Sequence, residues 1–126
     1  MRTMDDVERY LGLSGHPFEK VGDGTWVTRI HPADAALVVQ WEAPVVVFRL
    51  KVMPVPAAGR DAFFAHLLEL NATGLAHGAF GLENGSVVLV DALEAENLDA
   101  NEFTATIDSF ELALDQHMAT LAKFAR

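Results

Sequence analysis

Cysteine is absent from this chain of 126 residues. The absence excludes disulfides, thiolate metal ligands and a cysteine nucleophile. Long hydrophobic runs are missing too: runs such as residues 44–48 are far shorter than the roughly 20 residues of a transmembrane helix. The first residues also lack the apolar segment of a signal peptide. We therefore expect a soluble protein of the cytosol.

Positive charge is scarce in the second half of the chain. Residues 1–60 hold seven acidic and seven basic residues, whereas residues 61–126 hold eleven acidic and two basic ones, which gives a net charge of −9. Nucleic-acid and anionic-membrane binding both depend on Lys and Arg, so the sequence predicts neither partner. The acidic half is either a solvated surface or a surface for a basic or polar segment of a partner.

Motifs of known chemistry are also missing. The sequence has no GxSxG, GxxxxGK[ST], GxGxxG or HExxH pattern. Acidic pairs such as Glu94 with Glu96, or Glu102 with Asp108, are interpreted as solvated or capping groups. We therefore predict that the protein is not an enzyme and that it has no catalytic, cofactor-binding or metal-binding residues. A closed pocket that joins a carboxylate with one of three histidines would instead indicate an enzyme or a small-ligand binder; these are His31, His66 and His77.

What the sequence does contain is enough apolar surface for one α+β domain over residues 1–126, with 51% hydrophobic residues. The patterns predict helices over residues 4–13, 60–71 and 100–124, and strands over 25–31, 37–42, 45–52, 78–83 and 86–93. Asn84-Gly85 predicts the turn of the last hairpin. The order is α-β-β-β-α-β-β-α, with or without a short extra strand over residues 18–21. Short connections favour an antiparallel sheet with helices packed on it.

Three segments carry apolar surfaces that need a partner, inside this chain or in another one. The last helix has a continuous apolar stripe from Phe103 to Leu121. Its length of about 37 Å means that it must cross a sheet or project into a partner. The helix over residues 60–71 is apolar on more than one side. The strand over residues 45–52 has valines on the same face as Arg49 and Lys51, which predicts a covered or an adhesive surface. The predicted contacts with another protein or a second copy are Val45, Val47, Phe63, Phe64, Leu67, Val87 and Leu89.

Four stretches carry a resemblance to known proteins: residues 67–71 (LLELN), 80–85 (FGLENG), 87–90 (VVLV) and 98–103 (LDANEF). In order and spacing they resemble the class I type III secretion chaperones, the Tir chaperone-like family. They are also similar to the related YbjN-like sensory-transduction regulators. The resemblance covers roughly residues 60–115, and the N-terminal half matches in element order.

The resemblance implies a small acidic dimer with a twisted antiparallel sheet. Such chaperones hold an extended segment of an effector protein in surface grooves. Effector contacts follow no fixed motif, so no site residue is carried over. Our leading hypothesis is a cytosolic, homodimeric, chaperone-like domain without enzymatic activity. The alternatives are a YbjN-like regulator that binds a folded partner, and an enzyme or small-ligand binder.

Overall fold

The computed structural model describes residues 2–125 as three helices and six strands. Each predicted element is present, and its ends lie within a few residues of the prediction. The elements are α1 (Met4–Leu13), β1 (Phe18–Gly22), β2 (Thr25–Ile30), β3 (Ala35–Glu42), β4 (Val45–Pro54), α2 (Arg60–Thr73), β5 (Ala79–Glu83), β6 (Ser86–Glu94) and α3 (Ala100–Lys123).

All six strands form one antiparallel sheet in the order β1-β2-β3-β4-β6-β5. The predicted α+β class is confirmed, and the optional short strand is present as β1 at one edge. The other edge is β5. It is paired with β6 through a tight turn in which Asn84 and Gly85 both have positive φ, 50° and 79°. Both positions of a type I′ turn require this conformation, which is why Asn-Gly predicted the hairpin.

The inner face of the sheet carries the hydrophobic core. Strand pairing aligns Trp26, Val39 and Phe48 in one row, and all three side chains are buried. The neighbouring row continues the core through Leu37 and Leu50. The face predicted for β4 is confirmed, since its inner residues all belong to or pack against the core; these are Val46, Phe48, Leu50 and Val52.

The long helix α3 lies on this inner face. The ring centroid of Phe48 is 5.1 Å from that of Phe103 and 6.3 Å from that of Phe110. Of the two outcomes predicted for this helix, packing on the sheet is therefore the one observed. Helix α1 contributes Tyr10, whose hydroxyl donates a hydrogen bond to the Leu98 carbonyl at 3.0 Å. That bond ties the start of the chain to the residues just before α3.

Helix α2 packs beside β5 at the edge of the sheet. The Asn71 side chain there bonds both backbone groups of Phe80: the Phe80 N–H donates to Oδ1 at 2.7 Å, and Nδ2 donates to the Phe80 carbonyl at 3.0 Å. Unpaired N–H and C=O groups at a sheet edge invite pairing with another strand. Asn71 satisfies two of them and so partly closes this edge.

None of the helices within residues 2–125 combines the length and the apolar character needed to cross a bilayer.

Candidate protein-binding surfaces

The outer face of the sheet, opposite the core, is formed largely by valines and cations. Pairing aligns Val27, Val38, Arg49 and Val90 across four strands. The three valines are half-buried and none belongs to the core that the helices share. Beside this row is a shallow depression of about 330 Å³. It is lined by Ala36, Val38, Arg49, Lys51, Glu83, Asn84, Ser86 and Val88.

Two of the predicted contact residues, Val45 and Val47, lie on this outer face and are half-buried. The face also carries basic side chains, Arg29, Arg49 and Lys51, although the chain as a whole is strongly acidic. Arg49 Nε is 3.4 Å from a carboxylate oxygen of Glu83. A half-exposed ion pair of this kind contributes little to stability, so both charges remain available to a partner.

A second apolar surface, the α2–β5 groove, runs between helix α2 and strand β5. Leu68 and Leu82 are 69% and 56% exposed there, among the most exposed large apolar residues of the described chain. The groove has a volume of about 300 Å³. Its lining is apolar except for one amide, and consists of Phe64, Leu67, Leu68, Asn71, Phe80, Gly81 and Leu82.

The remaining predicted contacts divide between this groove and the interior. Phe64 and Leu67 line the groove. Phe63, Val87 and Leu89 are fully buried in the core, so in this fold they have no exposed surface to offer a partner. The Phe63 ring packs between Phe64 and Phe124, at centroid distances of 6.0 Å and 5.2 Å. The sequence-based contacts did not include Leu68 and Leu82, because the apolar residues of the helix and the hairpin do not by themselves show which ones stay exposed.

The two sheet edges differ. All five residues of β1 are exposed, and among residues 2–125 no strand pairs with its outer side. The edge at β5 is instead occupied at Phe80 by Asn71. A strand from another molecule can therefore extend the sheet at β1 more readily than at β5.

A cluster of ionisable side chains, which the sequence analysis did not predict, joins the loop after α1 to helix α3. His16 Nε2 is 3.6 Å from Glu111 Oε1 and 3.9 Å from Asp108 Oδ1. Only the i, i+3 spacing of the two acids was visible in the sequence, because His16 lies about ninety positions away. The three histidines that the sequence offered as candidates do not join a group of three such ligands within the described chain; these are His31, His66 and His77.

One carboxyl has a clearly shifted pKa. The Arg9 guanidinium, 2.9 Å from Asp6, and then the Thr3 backbone N–H hold the pKa of the Asp6 carboxyl below its ordinary value. Thr3 and Asp6 form a reciprocal capping box at the start of α1. The role of Asp6 is therefore structural, since both partners belong to its own helix end.

The sequence matches a known protein family over its whole length. The CesT_Tir_1 family model matches residues 1–126. The chain belongs to the CesT_Tir_1 family, a type III chaperone family. The predicted resemblance is thereby confirmed, and it extends over the N-terminal half as well as the residues that first suggested it. No curated protein matches the sequence.

Several solved structures share the fold of this CesT_Tir_1 chain. One chain of the HopA1–SchA chaperone–effector complex matches with a TM-score of 0.61 and 13% identity, covering 99% of this chain and 98% of that one. A chain of the heterodimeric ExoU–SpcU complex from the type III secretion system of Pseudomonas aeruginosa matches with a TM-score of 0.58 and 19% identity, covering 94% of each chain. YbjN from E. coli, a proposed transcription regulator, matches with a TM-score of 0.65 and 12% identity, covering 97% of this chain and 90% of that one. At these identities the likeness is one of fold.

Proposed function

We propose that this protein is a non-enzymatic, cytosolic, chaperone-like homodimer that holds an extended segment of a client protein of the type III secretion effector kind. The observation that carries the proposal is the presence of two separate apolar surfaces on one small domain. The α2–β5 groove suits a second copy, and the outer face with the β1 edge suits a client. Membership of a type III chaperone family supports it, as does the fold shared with a chain of a chaperone–effector complex and a chain of a heterodimeric complex from a type III secretion system.

The α2–β5 groove suits self-association because its exposed residues are large, apolar and nearly free of charge. Leu68 and Leu82 are both more than half exposed, and Phe64 lies beside them. Burial of such residues from water is the main driving force for association of protein chains. A two-fold axis at the groove lets the same patch serve both copies.

The β1 edge suits a client in extended conformation. A segment added there gains backbone hydrogen bonds that do not depend on its sequence. The half-buried valines of the outer face, Val45 and Val47 among them, give apolar side chains a place to bind. The cations Arg49 and Lys51 favour a client segment that carries acidic groups between its apolar ones.

The direct test is co-expression with candidate effectors encoded in the same genome, followed by purification and limited proteolysis. We expect a stable complex in which a segment of the effector, and not its folded domain, is protected. A double variant of the outer face, Val38→Asp with Val47→Asp, should lose the complex and keep the circular dichroism spectrum of the parent. Retention of every effector by that variant contradicts the proposal.

The second candidate is a regulator that binds a folded partner. It is favoured by the fold shared with YbjN, whose TM-score of 0.65 is slightly above the 0.61 and 0.58 of the HopA1–SchA and ExoU–SpcU chains. The same proteolysis experiment separates the two functions. A regulator protects the globular domain of its partner and leaves flexible segments open to cleavage.

A further inference from the structure

We propose that His16, Asp108 and Glu111 form a binding site for one divalent transition-metal ion, with Zn²⁺ the expected occupant. Each residue offers one ligand atom, and the three atoms lie within 4.8 Å of one another. The site lies between the loop that follows α1 and the outer side of α3. It shares no residue with the α2–β5 groove and does not depend on the proposed client binding.

The spacing of the ligand atoms suits such an ion. Two ligands at about 2.1 Å from Zn²⁺ in tetrahedral geometry are roughly 3.4 Å apart. The imidazole Nε2 of His16 is 3.6 Å from Glu111 and 3.9 Å from Asp108. The Asp108 side chain is 63% exposed and can rotate inward to close the difference. Small side-chain movements are therefore enough to complete the coordination.

Two of the three ligands are already held in position. The side chains of His16 and Glu111 are only 15% and 19% exposed. The second carboxylate oxygen of Glu111 accepts a hydrogen bond from the His31 backbone N–H at 2.8 Å. That bond fixes the carboxylate and leaves Oε1 as the atom nearest to His16. Outer hydrogen bonds that orient a ligand are a regular feature of metal sites in proteins.

The charges around the site also favour a cation. Within residues 2–125, the ion pairs of Asp108 and Glu111 are made with His16 alone. Helix α3 has a single cation, Lys123, at its far end. The nearby residues of the helix do not neutralise the negative charge of the two carboxylates. One divalent ion would do so.

The ligand set selects among cations. An imidazole with two carboxylates suits Zn²⁺ and its neighbours in the transition series, whereas Mg²⁺ and Ca²⁺ prefer ligands that are all oxygen. Three protein ligands leave one position for water or for a group of a partner. The bound ion would join the loop before β1 to helix α3, two residues from the start of the open sheet edge.

The test uses the full chain without an affinity tag, cleared of metal by a chelator and titrated with Zn²⁺ in a calorimeter. We expect one ion to bind per chain. His16→Gln and Asp108→Asn should each weaken binding about tenfold or more, since loss of even an orienting partner costs 10- to 100-fold. His77→Gln and Asp115→Asn are matched controls on exposed positions and should bind as the parent does.

A second measurement identifies the ligand directly. In ¹H–¹⁵N spectra that report imidazole nitrogens, Zn²⁺ should shift the signals of His16 and leave those of His77 unchanged. Zn²⁺ should also raise the melting temperature of the parent but not that of His16→Gln, because an ion that binds only the folded state stabilises it. No binding by the parent, equal binding by His16→Gln, or a shift centred on another histidine each overturns the proposal.

Discussion

Gly78, just before β5, is a position where only glycine fits. Its φ is +80°, and a Cβ built there lies 2.8 Å from the Val90 carbonyl oxygen and 3.3 Å from the Phe110 ring. Gly85 has nearly the same φ, +79°, but a Cβ there meets nothing within 4 Å. The two glycines are alike in conformation and differ only in what lies next to them. Comparing alanine substitutions at the two positions therefore distinguishes the cost of backbone strain from the cost of steric conflict.

We expect Gly85→Ala to lower the free energy of unfolding by about 1–2 kcal/mol, the cost of a left-handed conformation for a residue with a Cβ. Gly78→Ala should cost clearly more, because the carbonyl of β6 cannot move without breaking the pairing of the strand. Urea denaturation of both variants measures the difference. Equal losses for the two variants would show that the neighbours of Gly78 give way easily.

The pKa of Asp6 predicts how helix α1 responds to acid. A carboxyl whose folded-state pKa is lowered stabilises the fold above its ordinary pKa, and this contribution disappears as the pH falls through the folded-state value. Asp6→Asn should therefore melt at a lower temperature than the parent at neutral pH and at the same temperature in strong acid. Asp5→Asn is the control in the same helical turn. A deficit for Asp6→Asn that stays constant with pH contradicts this assignment.

At the scale of elements, helix α2 was the hardest to interpret from the sequence. Its apolar residues lie on several sides, and the sequence indicated burial without indicating where. The structure resolves them into core residues such as Phe63 and groove residues such as Leu68. Helix α3 was simpler because its apolar residues keep one stripe, which the structure places on the sheet. A single stripe defines a face, whereas a broad apolar surface needs the positions of its neighbours.

Asn71 gives α2 a further role, that of closing the β5 edge. Asn71→Ala removes two hydrogen bonds to Phe80, each worth about 0.5–1.5 kcal/mol. We expect a loss of stability of about 1–3 kcal/mol and faster hydrogen exchange at the Phe80 amide. Asn101→Ala, exposed on α3, is the matched control. If the Phe80 amide stays protected in the Asn71 variant, the edge is closed by something other than this side chain.

At the scale of the whole molecule, we expect two copies of the chain to associate through the α2–β5 groove. Leu68→Asp places a charge on the exposed apolar surface and should convert the proposed dimer to a monomer. The control is Leu13→Asp, which changes a leucine of similar exposure, 65% against 69%, at the end of α1. Light scattering coupled to size-exclusion chromatography measures the mass. A parent chain that is itself monomeric, or a Leu68→Asp variant that remains dimeric, refutes the groove as the interface.

Much of the molecular organisation followed from local patterns. Caps, turns and alternation placed every helix and strand, because each signal depends on residues close together in the chain. The surfaces were less accessible to such reasoning. Residues 87–90 are apolar on both faces of β6, so the sequence does not show which of them face the core; in the structure Val87 and Leu89 do. The His16 cluster depends on the packing of α3 against a distant loop, and no local pattern encodes that distance.

The position of β1 at one border of the sheet determines how long a bound segment must be to contact both copies. Six strands about 4.8 Å apart make each sheet roughly 24 Å wide. If two copies associate through their β5 sides, the free β1 strands lie at opposite extremes, on the order of 50 Å apart or more. A fully extended polypeptide advances about 3.3 Å per residue, so a segment that reaches both borders needs at least about 15 residues between its two anchoring strands. Shorter segments can occupy only one half of the pair.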